Sequence, residues 1–387
     1  MYRFQVDPCV DFFEFSCGNW IKSHPIPDYL TFYSRFTEVR ERVLQQMRVK
    51  FMYQKCVDKE ELTKIGSKRL LQSIRSYGVW PMIEGDDKFR VEDFNLTSLM
   101  IYITKARGFH VFVANGVARD DKNVSRRLIE FGQADLGMGK STRDYYLDRA
   151  KHEKRIGAYR KLLISEVELI NEYDNRSYNY EKIAQDVDEI IDFETKIAKV
   201  MVAEQDRRNF FEMYNIRRLS DLQKLMPMID WTRYLYSIAP YSVHKYFAND
   251  PNVLIREIDY VRRITELLQL TDPRIITNYI FIRFTSSWGK ELGERFHDVL
   301  QEFHRSMYGR KQKVPSWKEC TFFTINRMPY SAGAIFVSEV YDKASKNVTL
   351  DMVNDLIEAF NEMLVENDWM DKSTKKVINK FTLSGTQ

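Results

Sequence analysis

The chain has six histidines, the residues with which metal chemistry most often begins. A zinc peptidase needs two of them one helical turn apart, a glutamate between them as general base, and a third ligand farther along. His152-Glu153-Lys154-Arg155-Ile156 comes nearest to that HExxH pattern. Ile156 stands where the second histidine belongs, so this helix face offers one ligand, and His152 reads as a solvated surface residue. His297 and His304 share a predicted helix. Seven residues at 1.5 Å rise set them about 10 Å apart, too far for one ion held by bonds of about 2 Å. His24, His110 and His244 are isolated. The sequence assembles no metal site from this chain alone.

Phosphate chemistry is the next candidate. Ala134-Asp135-Leu136-Gly137-Met138-Gly139-Lys140-Ser141 fits a relaxed P-loop spacing, with Ala in place of the first Gly. A working P-loop lies between a buried strand and a helix, where backbone N–H groups and the Lys cradle phosphates. The preceding Leu128-Ile129-Glu130-Phe131 is short and interrupted by Glu130. The apolar run that should end in a metal-binding Asp is Leu225-Met226-Pro227-Met228-Ile229-Asp230, and Pro227 breaks a central strand. The segment is expected to be a glycine-bearing surface loop, and nucleotide binding through Lys140 ranks last among the readings.

The four cysteines pose a geometric question. If residues 9–17 are helical, Cys9 and Cys17 lie about 12 Å apart along the axis. A disulfide spans a Cα separation of about 7 Å at most, so each needs a distant partner. Cys56 follows one predicted helix and Cys320 precedes the C-terminal part. If those two pair, the closed loop is very long and the chain-entropy model gives on the order of 5 kcal/mol. Four reduced thiols in a reducing compartment fit the composition equally. Asn95, Asn123, Asn175 and Asn347 open Asn-x-Ser/Thr sequons. With 18 Asn in the chain, roughly two sequons arise by chance, and the excess hints at a secreted or cell-surface protein.

These residues need elements to position them. At 387 residues, 44% hydrophobic, the chain can build a sizeable core of one large or two to three smaller domains. Only 15 Gly and 10 Pro argue against many short strands and for long helices. The net charge of +4 comes with no block of like charge, so nothing demands nucleic acid or an anionic membrane. No apolar run is long enough to span a bilayer, and Met-Tyr-Arg-Phe-Gln-Val-Asp-Pro lacks a signal-peptide pattern. Asp7-Pro8 reads as a helix start, with Gly18 as a stop. His24-Pro25-Ile26-Pro27 reads as a rigid connector. Helices are predicted over about 31–51 and 59–77, and residues 78–123 are less periodic, with a short strand at Phe109–Val113. Apolar stripes at three- and four-residue steps mark helices at Ile183–Val200, Phe296–Met307 and Val353–Leu364. All three are expected to pack into the core.

The run Asp7-Pro8-Cys9-Val10-Asp11-Phe12-Phe13-Glu14-Phe15-Ser16-Cys17-Gly18-Asn19-Trp20 resembles the opening of the ectodomain in the neprilysin and endothelin-converting-enzyme family of zinc metallopeptidases. The likeness continues through Ile26-Pro27, Arg143-Asp144-Tyr145-Tyr146, Arg207-Arg208-Asn209 with Tyr214-Asn215, and Trp317-Lys318-Glu319-Cys320. It ends at Trp369-Met370-Asp371 with Thr374-Lys375-Lys376. The matches span nearly the whole chain in family order.

The resemblance implies a mainly α, multi-helix N-terminal domain with few or no strands, which covers the active site of a thermolysin-like catalytic domain. The family's HExxH, third zinc ligand and substrate-backbone motif follow the W-M-D segment and are not present here. The expected organisation is an N-terminal segment, 1–50, that packs on the catalytic domain, and a helical domain, 51–387. Zinc belongs to the full-length family, no cofactor is bound by this chain, and no catalytic residue is assigned. Cys56 and Cys320 match a pair joined in the family. Cys9 and Cys17 match cysteines whose partners lie in the catalytic half, which suggests a truncated gene product or an incomplete sequence. An Arg that holds the substrate's C-terminal carboxylate in neprilysin corresponds to Phe32 here. A second family Arg matches Arg40, and a Phe lining the pocket beside the scissile bond matches Phe36, so these two are the substrate-binding candidates.

The function expected is that of a non-catalytic domain of a neprilysin-like metalloendopeptidase, limiting substrates to small peptides. Its partners would be peptide substrates, met through a catalytic domain in cis or trans. Its place would be extracellular or at the surface, as in a type II membrane protein family. The alternative is a catalytically inactive pseudo-peptidase that binds peptides or proteins.

Overall fold

A computed structural model describes residues 5–47 and 56–384. In chain order, its principal helices are α1 (Phe12–Ser23), α2 (Arg35–Gln46), α3 (Lys59–Ile65), α4 (Lys68–Tyr77), α5 (Glu153–Tyr173), α6 (Tyr180–Val200), α7 (Pro273–Ser286), α8 (Glu294–Tyr308), α9 (Ser316–Arg327) and α10 (Lys343–Glu366). Four strands accompany them: β1 (Val113–Asp120), β2 (Asn123–Gln133), β3 (Asn215–Arg218) and β4 (Asn252–Ile255). The mainly α class expected from the resemblance is what the structure shows. The chain divides into two units, Met1–Tyr33 with Cys56–Val314 and Ser34–Lys55 with Pro315–Gln387. The boundary expected at residues 50–51 lies outside the described residues.

Local chemistry sets the helix ends of the first unit. α1 begins at Phe12 because the Asp11 carboxylate accepts the Glu14 N–H. Asp7, expected as the cap, accepts the Cys9 N–H in a preceding turn. Gly18, expected as a stop, is a buried interior residue of α1. The helix predicted over 59–77 is two helices. Gly66 interrupts it with φ +51, and a Cβ there would lie 2.3 Å from the Tyr173 ring.

The stripes on α6 and α8 pack as expected. Ile183, Val187, Ile190, Ile191 and Ile197 of α6 are buried, as are Phe296, Phe303 and Met307 of α8. Each such side chain contributes about 1.5–3 kcal/mol on removal from water.

The sheet has the order β1-β2-β4-β3. β1 and β2 form an antiparallel hairpin, β2 pairs parallel with β4, and β3 pairs antiparallel with β4. The strand predicted at Phe109–Val113 begins only at Val113 and runs on to Asp120. Val113 and Phe131 face the core on one side of the hairpin. Ala114, Gly116, Glu130 and Gly132 face the other way.

In the second unit, Ser34 caps α2 in a reciprocal capping box with Thr37, so the helix predicted from residue 31 starts at Arg35. Residues 48–51 of that prediction lie outside the described residues. Lys318 of α9 pairs with Glu41 of α2, both largely buried. The α10 stripe corrects its expectation. Leu364 is buried, but Leu356 is 63% exposed, and Val353 and Phe360 are exposed too. Among the described residues of this unit, none covers that face.

Candidate functional site

The first unit carries a cavity of about 880 Å³ on the sheet face opposite the core. Ala114, Gly116 and Gly132 floor it with almost no side chain. Gly132 is compulsory there, since a Cβ would lie 2.9 Å from a Glu257 carboxylate oxygen. The loop after β2 forms one wall and the segment through Arg207, Phe210 and Met213 another.

Buried ion pairs hold these walls. Glu194 of α6 is fully buried and accepts the Gly137 N–H at 2.7 Å and the Tyr146 hydroxyl at 2.8 Å. Arg283 of α7 lies 3.4 Å from Glu194, and it donates to the Asp135 carbonyl at 3.0 Å and to the Tyr279 hydroxyl at 2.8 Å. Burial pushes the Tyr146 and Tyr159 hydroxyls well above the ordinary range, with the Glu194 charge adding to the effect. Both therefore remain neutral. On the other wall Arg207 donates to the fully buried Glu257 at 2.8 Å, and Glu257 also accepts the Gln133 N–H at 3.0 Å. The Gln133 amide clasps the Val202 N–H and C=O at 3.0 and 3.1 Å. Arg256 bonds Glu130 at 3.0 Å and also pairs with Asp121.

Neutral polar groups meet on the core-facing side of the hairpin, where Asn115 pairs with Phe131. Tyr234, pushed up to about 12 by burial, donates to the Asn115 side-chain oxygen at 2.8 Å. Its hydroxyl is 3.5 Å from Nδ1 of His110, whose imidazole burial holds in the neutral form by lowering its pKa.

This geometry disposes of the phosphate-loop likeness. The amide of Gly137 is directed at a carboxylate of the same chain, a group that repels phosphate. The run ending in Asp230 is no strand, because Leu219–Leu225 is helical and Asp230 caps the helix Trp231–Ile238. His152 is not solvated as expected. Its ring packs 4.6 Å from that of Tyr145, and Arg155 approaches its Nδ1 at 2.9 Å. His304 lies against Arg310, and burial together with that cation lowers its pKa to about 4. Among the described residues no group of three His, Cys, Asp or Glu is placed to hold a metal ion. Among them, too, no helix is long and apolar enough to cross a membrane.

Phe36 and Arg40 lie one turn apart on α2 in the second unit, so they share a helix face. Phe36 is 88% exposed. The exposed Arg40 guanidinium sits 5.2 Å above the Phe322 ring. Cys56 and Cys320 are joined in a disulfide. Cys9 and Cys17 are free thiols, the first exposed. The sequon residues Asn95, Asn123, Asn175 and Asn347 are all exposed. Asn95 caps the helix Leu96–Arg107, Asn123 opens β2, Asn175 has φ 53, and Asn347 lies near the start of α10.

Sequence reasoning missed the cavity residues His110, Asn115, Arg207, Phe210 and Arg256. They are scattered over 147 positions (256 − 110 + 1), and long-range packing such as the β2–β4 pairing is needed to gather them. The one local signal was the run of small residues at alternate positions of the hairpin.

Comparison with known proteins gives a consistent result. The N-terminal model of peptidase family M13 matches residues 8–380. Neprilysin-1 of Caenorhabditis elegans is 45% identical over 388 residues, covering 96% of this chain and 51% of that protein. Endothelin-converting enzyme 1 of Homo sapiens is 28% identical over 392 residues, covering 96% and 48%. The crystal structure of Mycobacterium tuberculosis zinc metalloprotease ZMP1 in complex with an inhibitor matches with a TM-score of 0.82 at 20% identity, over 98% of this chain and 56% of that one. PepO from Lactobacillus rhamnosis matches at 0.72 and 14%, over 97% and 58%. At these identities the solved structures speak for the fold alone. The chain spans about half the length of the curated relatives it matches.

Proposed function

Since the chain belongs to peptidase family M13, we propose that it forms the non-catalytic helical part of a neprilysin-like zinc metalloendopeptidase. It roofs the active site carried by a catalytic half and limits substrates to small peptides. The observation that carries this reading is the apolar face of the second unit. Val353, Leu356 and Phe360 of α10 stand exposed, and the chain spans about half the length of the relatives it matches. A soluble unit rarely leaves a patch of this kind uncovered, and burying each side chain favours association by about 1.5–3 kcal/mol. The catalytic half is the occupant that fits.

The family is zinc-dependent, and in this reading the zinc and its chemistry belong to the catalytic half. The contribution of this chain is binding. Arg40 takes a peptide carboxylate by charge-assisted hydrogen bonds, and Phe36 meets the side chain beside the scissile bond. Cys9 and Cys17 pair with cysteines of the catalytic half. The four sequons carry glycans on a protein facing the cell exterior.

The test is to produce the chain alone and together with the C-terminal half of a relative such as Neprilysin-1. Bound zinc, peptide hydrolysis and association are then measured. The expected result is a zinc-free, inactive chain that associates with the other half and forms a peptidase. Hydrolysis and stoichiometric zinc with the chain alone would overturn the reading. Association without hydrolysis would favour a pseudo-peptidase that binds without chemistry.

A further inference from the structure

We propose that a groove beside Asn95, within the first unit, is the seat of the chain's own glycan and holds the N-acetylglucosamine attached at Asn95. This rests on the reading of a glycosylated, exterior-facing chain, and it gives one of the four glycans a structural place.

Three observations carry it. The first is the position of the sequon Asn95-Leu96-Thr97. It opens the helix Leu96–Arg107, and Asn95 itself lines the groove. The Asn95 side-chain oxygen accepts the Ser98 N–H at 2.8 Å. That bond orients the side chain through its oxygen and leaves Nδ2, the atom that carries a glycan, outside the cap. On glycosylation the bond from Nδ2 to sugar C1 forms as C1 parts from the pyrophosphate of a lipid-linked donor, and one amide proton leaves. The amide oxygen is untouched, so the cap survives the modification.

The second is size. The groove encloses about 260 Å³, just below the roughly 300–1,000 Å³ of pockets for free ligands. A single sugar ring suits it, and the covalent link holds that ring at an effective concentration on the order of millimolar, so weak contacts suffice. The third is the lining. Tyr77 and Tyr102 stack with ring centroids 5.0 Å apart, and Tyr102 is 38% exposed. With the half-buried Phe89 they offer the flat apolar surface that the C–H face of a sugar covers. Arg90 and Asp93 stand exposed on the rim, and neither makes an ion pair among the described residues. The guanidinium donates and the carboxylate accepts, which matches the hydroxyls and acetamido group of the sugar. Their charges cancel, so the rim favours an uncharged polyol over an anion.

The test uses the full chain with a secretory leader, reduced to the Asn95 sequon by Ser125→Ala, Ser177→Ala and Thr349→Ala. It is made in cells that add high-mannose glycans. An endoglycosidase trims the glycan to one N-acetylglucosamine, and an amidase removes it whole with the change Asn95→Asp, which keeps a capping oxygen. The one-sugar form should melt about 2 °C or more above the sugar-free form. In Tyr102→Ala that difference should fall below about 0.5 °C, and Arg90→Ala, on the exposed rim, should cut it by about half. The charge that the amidase brings to the helix start is common to every background and drops out of the comparison. An unglycosylated Asn95, equal melting of the two forms, or an undiminished difference in both variants would overturn the proposal. So would recovery of the lost stability with about 10 mM free N-acetylglucosamine, which would make the groove a site for a saccharide from elsewhere. The melts need neither zinc nor a catalytic half. Their failure would leave the assembly experiment standing, and failure of assembly would leave the melts readable.

Discussion

A methyl group on Gly137 would lie 1.7 Å from the Tyr159 hydroxyl oxygen and 2.8 Å from Glu194. Gly137→Ala must therefore push the loop off its carboxylate anchor. The expected cost is about 1–3 kcal/mol, read by denaturant unfolding, while Gly139→Ala is strained by its φ of +107 but meets only the Tyr308 hydroxyl at 3.9 Å. Glu166 of α5 makes a different prediction. Burial raises its carboxyl to about 8 from an ordinary 4.5. The folded state thus keeps a proton that the unfolded state loses as pH passes 4.5. Stability from this group is complete below about pH 4.5, declines as pH rises, and stops declining above about pH 8. Glu166→Gln should match the parent near pH 4.5 and exceed it by on the order of 3–5 kcal/mol at pH 8, each tenfold change in proton affinity being worth about 1.4 kcal/mol. Unfolding curves at the two pH values check it. At this scale the sequence set the phosphate cradle at Gly137 and Lys140 aside for a glycine-bearing loop, and the fold adds a reason that spacing could not supply: Glu194, 57 residues later, accepts the Gly137 N–H.

At the scale of elements, α6 and α10 carry the same periodic signal and meet different fates. Periodicity records that a face is apolar, and it is silent on what covers it. Ile190→Ala on α6 should cost about 2–5 kcal/mol, because Ile190 is fully buried. Leu356→Gln on α10 should change the stability of the isolated chain by no more than about 0.5 kcal/mol, yet reduce self-association and weaken capture of the catalytic half. Paired unfolding and sedimentation measurements separate the two. If Arg40 of α2 holds a substrate carboxylate as proposed, Arg40→Ala should raise KM of the assembly with a catalytic half roughly ten- to a hundredfold for substrates ending in a free carboxylate, with kcat little changed. The long helices were legible from their stripes, and α1 was displaced by only four residues because two aspartates compete for the cap. The β1–β2 hairpin was not legible. Its floor face has Ala114, Gly116 and Gly132 where an ordinary strand would alternate with larger residues, and its stability comes from β4, more than a hundred residues away.

One disulfide closes a long covalent loop in the chain. Cys56 and Cys320 enclose most of the first unit, and opening that loop releases chain entropy in the unfolded state worth on the order of 5 kcal/mol at most. Cys320→Ser should lower the midpoint of unfolding, and reductant should lower the parent's to match. The sequence geometry required only that Cys9 and Cys17 not pair with each other. The Cys56–Cys320 pairing came from the family resemblance, since spacing alone cannot choose among distant thiols. In the proposed assembly, the exposed apolar face of α10 would tie this chain to the supply of the half that covers it. A polypeptide that leaves Leu356 and Trp369 in water is a ready client for chaperones and proteases, so copies made in excess of their cover should be short-lived. Cellular abundance would then follow the stoichiometry of assembly, and amino-acid changes on that face would persist only when matched by changes in its counterpart.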